Sequence, residues 1–311
     1  HYLSNPDGEV QFALLSDWTD SPTETRDDDA GLLSAAIYGI KELNNRYAQD
    51  GPPLFMLFHR RRVWNASEGV WMGWERKRGK LHEMNALLRG REDTTFQTVL
   101  PGPAADLRGV RYIITLDADT RMSRGAASRL VGAMAHPLNR PRFDAALQRV
   151  VDGYALMQPR ITPTLPVTAT GSLHQWIFSG PAGIDPYAFA ISDVYQDLFK
   201  EGSYVGKGIY DLDAFEAALK GRIPENAVLS HDLLEGLFAR TALATDIELF
   251  EEFPSHYGVA VSRSHRWVRG DWQLIPWICG FSGPCALPLI SRWKMVDNLR
   301  RSLSAPTQLL T

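Results

Sequence analysis

Arg111-Tyr112-Ile113-Ile114-Thr115-Leu116-Asp117-Ala118-Asp119 is the stretch that sets the fold class of this chain. Its apolar run reads as a parallel strand buried on both faces, and the carboxyl end of such a strand faces the ligand crevice of a layered α/β sheet. Two carboxylates separated by one residue repel each other in a partly desolvated crevice, and a hard divalent cation with oxygen ligands resolves the conflict. The natural partner of such a cation is a diphosphate. Taken singly, an Asp-x-Asp is also what two solvated acids opening a turn look like.

The neighbouring sequence supports the layered reading. Gln11–Asp17 reads as a buried strand, and Asp27, Asp28 and Asp29 can cap the helix that follows. Leu33, Ile37, Ile40 and Leu43 recur at helical spacing as far as Tyr47, Pro52-Pro53 breaks the chain, and Leu54–His59 is the next strand. Strand, helix, strand argues for a largely parallel sheet flanked by helices. Downstream, helices are expected near Arg124–Ala135, Asp193–Lys200, Asp213–Lys220 and His231–Thr241, with strands near Gly153–Ile161 and Ile247–Phe253. Pro159, Pro163 and Pro166 suggest a long irregular connection, and Gly202, Gly206 and Gly208 a flexible turn.

Composition narrows the function. The chain has 311 residues, 44% of them hydrophobic, and a formal charge of −3, enough for a sizeable core and without the signature of a polyanion binder. Nucleic acid is therefore not expected as a partner. Cys279 and Cys285 make no disulfide framework and read as small buried side chains in a reducing compartment. Between Arg60 and Asn85, Arg60, Arg61, Arg62, Arg76, Lys77, Arg78 and Lys80 alternate with Trp64, Trp71 and Trp74, a local patch suited to a small polyphosphate. The start at His1, without initiator methionine or apolar leader, is what an excised piece of a longer protein would show. Leu274–Ile290 is uncharged but broken by Pro276, Pro284 and Pro288, and Arg292, Lys294, Arg300 and Arg301 follow it. That pattern suits either a membrane surface on the cytoplasmic side or a buried loop and helix.

Four constellations then fall in order: Asp17 at the end of the first strand, Lys77 and Lys80 before Asn85, Asp117 with Asp119, and Asp232 in Ser230-His231-Asp232-Leu233-Leu234-Glu235-Gly236. Arg263-Ser264-His265-Arg266-Trp267 follows. Together they resemble the inverting glycosyltransferases of the GT-A fold, the group that contains cellulose and chitin synthases. The runs Ala13–Asp20, Arg60–Asn65, Trp71–His82 and Lys207–Asp211 are similar to the glycosyltransferase region of cyclic β-1,2-glucan synthases, and that resemblance covers nearly the whole chain.

The resemblance implies a GT-A domain that takes UDP-glucose as donor and a growing β-1,2-glucan as acceptor, on the cytoplasmic face of a bacterial inner membrane as part of a larger membrane protein. It implies Asp17, Lys77, Lys80 and Asn85 as nucleotide contacts, Asp117 and Asp119 as ligands of Mg²⁺ or Mn²⁺, and Asp232 as general base. Arg266 and Trp267 fall in a Gln-x-x-Arg-Trp motif in which Arg263 replaces the usual Gln. His231 is expected mainly as a helix cap. Residues 1–145 are expected to form the nucleotide-sugar half, 146–273 the acceptor and base half, and 274–311 a membrane-proximal segment. GT-A domains begin with a strand–helix unit that contributes another nucleotide contact. The resemblance implies that Asp17 belongs to the second such unit, and the first is then expected to lie outside the chain. Two other classes compete. A haloacid-dehalogenase-type phosphatase needs Thr or Val where Arg121 stands, and a non-catalytic carbohydrate-binding or regulatory domain would use the tryptophans as sugar platforms. The same fold with another nucleotide sugar differs only in pocket shape.

Overall fold

A computed structural model describes residues 1–48, 53–100, 107–164, 172–178, 193–281 and 287–310. The chain forms two compact units, Pro6–Val110 together with Tyr2, and Arg111–Thr311 together with His1 and Leu3–Asn5. Both are mixed α/β structures.

The first unit contains β1 (Phe12–Asp17), α1 (Asp29–Tyr47), β2 (Phe55–Arg60), a hairpin of β3 (Val63–Asn65) and β4 (Val70–Met72), α2 (Arg76–Leu88) and β5 (Phe96–Leu100). Its sheet runs β1-β2-β5, with β1 parallel to β2 and β5 antiparallel to it. β2 is buried along its whole length, and α1 lays Leu33, Ile37 and Ile40 over Phe55 and Leu57. The expected buried strand at Asp17 is instead an edge. Among the described residues β1 pairs on one side only, and Leu14 is 49% exposed. The aspartates before α1 also act differently from expected. Asp28 occupies the cap position without a side-chain cap bond, and Asp29 turns inward to the buried Arg62.

The second unit contains β6 (Tyr112–Thr115), β7 (Thr120–Met122), α3 (Ala126–Ala135), a hairpin of β8 (Arg142–Asp144) and β9 (Arg149–Asp152), and β10 (Leu156–Thr164). Then come α4 (Leu173–Phe178), α5 (Val194–Phe199), β11 (Gly208–Asp211), α6 (Leu212–Leu219), α7 (Asp232–Ala239), β12 (Thr241–Glu252), α8 (Tyr257–Gln273), α9 (Ile275–Ile278) and α10 (Leu289–Leu310). The sheet order is β6-β11-β10-β12-β7. Only β10 and β12 pair in parallel, while β6–β11, β11–β10 and β12–β7 are antiparallel. The expectation of a largely parallel sheet is thus corrected, and so is the reading of the strand before Asp117 as parallel and buried on both faces, because β6 is an edge strand antiparallel to β11. An apolar run reports burial and says nothing about the direction of the neighbour. β10 also runs straight through Pro159 and Pro163. The register against β12 shifts at Pro159/Arg160, and a bulge of that kind is where a strand tolerates proline. Pro166 lies outside the described residues.

One constraint shapes this sheet. β6 and β7 hold its opposite edges, yet only Leu116–Asp119 separates them. Four flat interstrand spacings would cover ~19 Å. The chain from Thr115 to Thr120 reaches ~17 Å at full stretch, and a bond from the Thr120 N–H to the Asp117 carbonyl (3.0 Å) tightens it further. The sheet therefore curls until both edges meet at the turn that carries Asp117 and Asp119.

No helix among the described residues is long and apolar enough to cross a membrane. Leu274, Trp277 and Leu287 are buried. Cys279 is exposed, against expectation, and Cys285 lies outside the described residues.

Candidate active site

The curl places the start of β11 and the end of β12 beside the acidic turn. Lys207, next to β11, sets its Nζ 3.4 Å from Asp117 Oδ2 and 2.6 Å from Glu251 Oε2. Arg263, on α8, bridges the other side, with Nη2 3.1 Å from Asp119 Oδ2 and Nη1 3.0 Å from Glu251 Oε1. Three carboxylates and two cations thus form one chain of contacts. Burial is graded along it. The Glu251 and Lys207 side chains are almost wholly buried, whereas Asp117 and Asp119 keep 37% and 32% of their side-chain surface exposed. The two acids stand in the accessible part of the network, with hard oxygen donors only.

A cleft opens from this network. Its walls include Lys207, Glu251, Tyr204, Asp232, Trp267 and Arg301. Asp232 opens α7, whose Leu234, Leu237 and Phe238 are buried as the helical stripe predicts. The Asp232 side chain is about a quarter exposed, but its Oδ1 is buried and has no hydrogen-bond partner among the described residues. His231 occupies the cap position, but its ring does not cap the helix. Its Nδ1 sits 2.9 Å from Glu235 Oε1 and 3.6 Å from Asp232 Oδ1.

The glycine stretch expected to be a flexible turn is instead the buried floor of the cleft. Ser203, Tyr204, Gly206 and Lys207 are all buried, the Val205 N–H donates to Gln158 Oε1 (3.0 Å), and Tyr204 Oη lies 3.1 Å from Thr115 Oγ1. Gly206 has φ +87°, and a Cβ there would lie 2.8 Å from Asp232 Oδ1, so only glycine lets the carboxylate come this close. Burial pushes the Tyr204 hydroxyl well above the ordinary phenol range, and the nearby Asp232 and Glu235 charges push it further. Tyr204 is therefore held in its protonated form beneath Asp232.

α8 brings the Arg-x-x-Arg-Trp residues to different places. Arg263 joins the acidic turn and Trp267 lines the cleft, whereas Arg266 is exposed with no ion pair among the described residues. In the first unit, Asp17 is largely spoken for. Its Oδ1 accepts from the fully buried Arg60 Nε (2.7 Å), and its Oδ2 lies 3.1 Å from Lys80 Nζ. Arg60 also donates to the Trp74 and Arg76 carbonyls (3.0 Å each) and to Glu83 Oε2 (3.3 Å). Gly73 packs so tightly here that a Cβ would lie 2.8 Å from Asp17 Cγ. Lys77 is half-buried on α2, and Asn85, on the same helix, is fully buried, so it acts on any ligand only through what it packs against.

Sequence reasoning missed Lys207, Glu251 and the link through Arg263. In the sequence Lys207 stands out only within the run Lys207–Asp211, and Glu251 only as one residue of the expected strand Ile247–Phe253. The signal that could have found them is a charged residue at the end of an otherwise apolar strand, the same signal that singled out Asp17 and Asp117.

No family model matches the chain. The chain is 58% identical over 303 residues, 97% of its length, to the cyclic beta-(1,2)-glucan synthase NdvB of Rhizobium meliloti (strain 1021). It spans 10% of that protein's length, so what the chain is similar to is one segment, about a tenth, of a cyclic beta-(1,2)-glucan synthase.

Proposed function

We propose that this chain is the glycosyltransferase segment of a cyclic β-(1,2)-glucan synthase, a GT-A-type domain that transfers glucose from UDP-glucose to a growing β-1,2-glucan. The observation that carries the reading is the cleft in which Asp232 and Trp267 stand together with Lys207, the residue in contact with Asp117. The extensive identity to the synthase supports the same reading.

Each part of the cleft has a role in this chemistry. Asp232 lines the cleft with its side chain about a quarter exposed, the position that a general base for an acceptor hydroxyl requires. Attack from the face opposite the leaving group turns an α-linked donor into a β-linkage. Trp267 presents an indole to a sugar ring. Asp117 and Asp119 fit Mg²⁺ or Mn²⁺, because both are partly exposed carboxylates flanking a single residue. A cation held there would neutralise charge on the departing diphosphate. Arg266, exposed and unpaired among the described residues, is suited to the diphosphate itself. The reading keeps Lys77 and Lys80 as nucleotide contacts, with Asp17, held by Arg60, as the acid that positions Lys80.

The surface near the chain's end suits a membrane-proximal position. Leu289 and Trp293 on α10 are exposed, as are Trp272 on α8 and Phe281, and Arg292, Arg300 and Arg301 accompany them.

Calorimetry with UDP, UDP-glucose and GDP-mannose, each with and without manganese, tests the proposal. Tighter binding of the uridine nucleotides that strengthens with manganese is expected. Equal affinity with and without metal removes the cation from the reading. Binding of β-1,2-glucan with no affinity for any nucleotide would replace it with a carbohydrate-binding domain.

A further inference from the structure

The acidic turn already holds two cations of the chain, and they are not equivalent. Lys207 is nearly buried and sits 2.6 Å from the nearly buried Glu251, so the two neutralise each other inside the unit. Arg263 stands nearer the surface, on α8, and reaches the accessible Asp119 with one nitrogen and Glu251 with another. Removing Lys207 would leave the buried Glu251 with only the more exposed Arg263 and would lose the closest ion pair of the network, which is unfavourable. Moving Arg263 would leave Glu251 its lysine and would uncover only Asp119, which water reaches. Of the two, Arg263 is the cation that can leave.

We infer that Arg263 is a displaceable counter-ion for the metal-binding carboxylates. It holds Asp119 while no donor is bound, and it turns to the diphosphate when donor arrives, which frees Asp119 for a divalent cation. The inference rests on the reading of Asp117 and Asp119 as metal ligands. A guanidinium on Asp119 and a divalent cation on the same oxygen exclude each other by like-charge repulsion, whereas a diphosphate attracts both. Metal and nucleotide must then bind cooperatively, and the coupling is reciprocal by linkage. A glutamine at this position would carry no charge and could not act in this way.

The test is Mn²⁺ binding to the 311-residue chain, followed by the electron paramagnetic resonance of the free ion, with and without UDP. In the wild type, UDP is expected to raise Mn²⁺ affinity. Arg263→Gln should bind Mn²⁺ up to about fivefold more tightly than wild type without UDP, the scale of one partly exposed ion pair, and should show a smaller gain on adding UDP. Arg263→Lys, which keeps the charge, should stay close to wild type. Equal Mn²⁺ affinity of Arg263→Gln and wild type without UDP overturns the inference, as does an unchanged UDP gain or an Arg263→Lys protein that behaves like Arg263→Gln. Should Arg263→Gln not fold, the wild type alone decides, because Mn²⁺ binding indifferent to UDP overturns the inference. That outcome leaves Asp117 and Asp119 as metal ligands. No Mn²⁺ binding by any form, with or without UDP, removes both.

Discussion

At the end of β1, Asp17 meets an arginine with no exposed surface; at the turn after β6, Asp117 and Asp119 meet Lys207 and Arg263 while each keeps about a third of its own surface in water. Both regions pair strand-end acids with basic residues, and a sequence reading treats them alike. Their surroundings differ. Arg60 spends its donors on Asp17, Glu83 and two backbone carbonyls, which joins β1, β2 and α2 into one piece. The turn of the second unit opens onto a cleft lined by the partly exposed Asp232. A charge network satisfied from inside the protein builds structure, and one left partly exposed beside a cleft is placed to act on a ligand.

Asp232→Asn should separate the two regions most strongly. It keeps the size of the side chain on Gly206 and removes the proton acceptor. Glucan formation from UDP-glucose by the intact protein is expected to fall by ~10²- to 10⁴-fold, the usual worth of a positioned general base. UDP binding and the thermal midpoint should barely change. Retained turnover removes Asp232 as base and leaves the cleft a binding site only.

Arg60→Met should act on the other region and through stability. It takes the buried cation from Asp17, which keeps Lys80, and from Glu83, which keeps Thr95, and it leaves two carbonyls without their donor, a loss of ~3–5 kcal/mol for a broken buried ion pair. Urea unfolding followed by tryptophan fluorescence measures it. A loss below about 1 kcal/mol, the range of surface ion pairs, would mean that the Asp17 network is not structural and would blur the distinction between the regions.

The sequence made the elements and the acids legible, and left their neighbours out of reach. β1, α1, β2, α3, α5, α6 and α7 fall close to where apolar spacing and caps place them, because those signals are local. Asp193, for instance, caps α5 by accepting from the Gln196 N–H. The pairing β6-β11-β10-β12-β7 was not legible, since Ile113 and Ile114 are equally apolar beside a parallel or an antiparallel neighbour. That pairing curls the sheet and carries Lys207 and Glu251 to the turn, so the partners of Asp117 and Asp119 were hidden for the same reason. Asp232 and Trp267 were found through a motif. Their sharing of one cleft depends on how α8 packs, which the motif does not encode.

Lys294 gives the smallest and most specific prediction. It is a buried cation of the second unit held differently from Arg60. Its Nζ donates to the carbonyls of Glu201 (2.7 Å) and Gly202 (2.9 Å), just before the floor of the cleft. Burial pushes its ammonium down from 10.5 to about 8, with Glu201 and Asp193 only partly opposing the shift. The folded state therefore releases this proton near pH 8, while the unfolded chain keeps it to about 10.5. Between those values the unfolded chain binds more protons, so this group makes stability rise with pH. Below pH 8 the cost of burying the charge is fully present, and above 10.5 it has been removed. Lys294→Met removes the titration together with the two hydrogen bonds. Relative to that variant, the wild type should gain stability steadily across the window and not outside it, as read from urea midpoints at successive pH values. Parallel curves for the two proteins would mean that Lys294 keeps its ordinary affinity for the proton. Its amine would then be solvated, and the clamp on Glu201 and Gly202 would be no tighter than a surface contact.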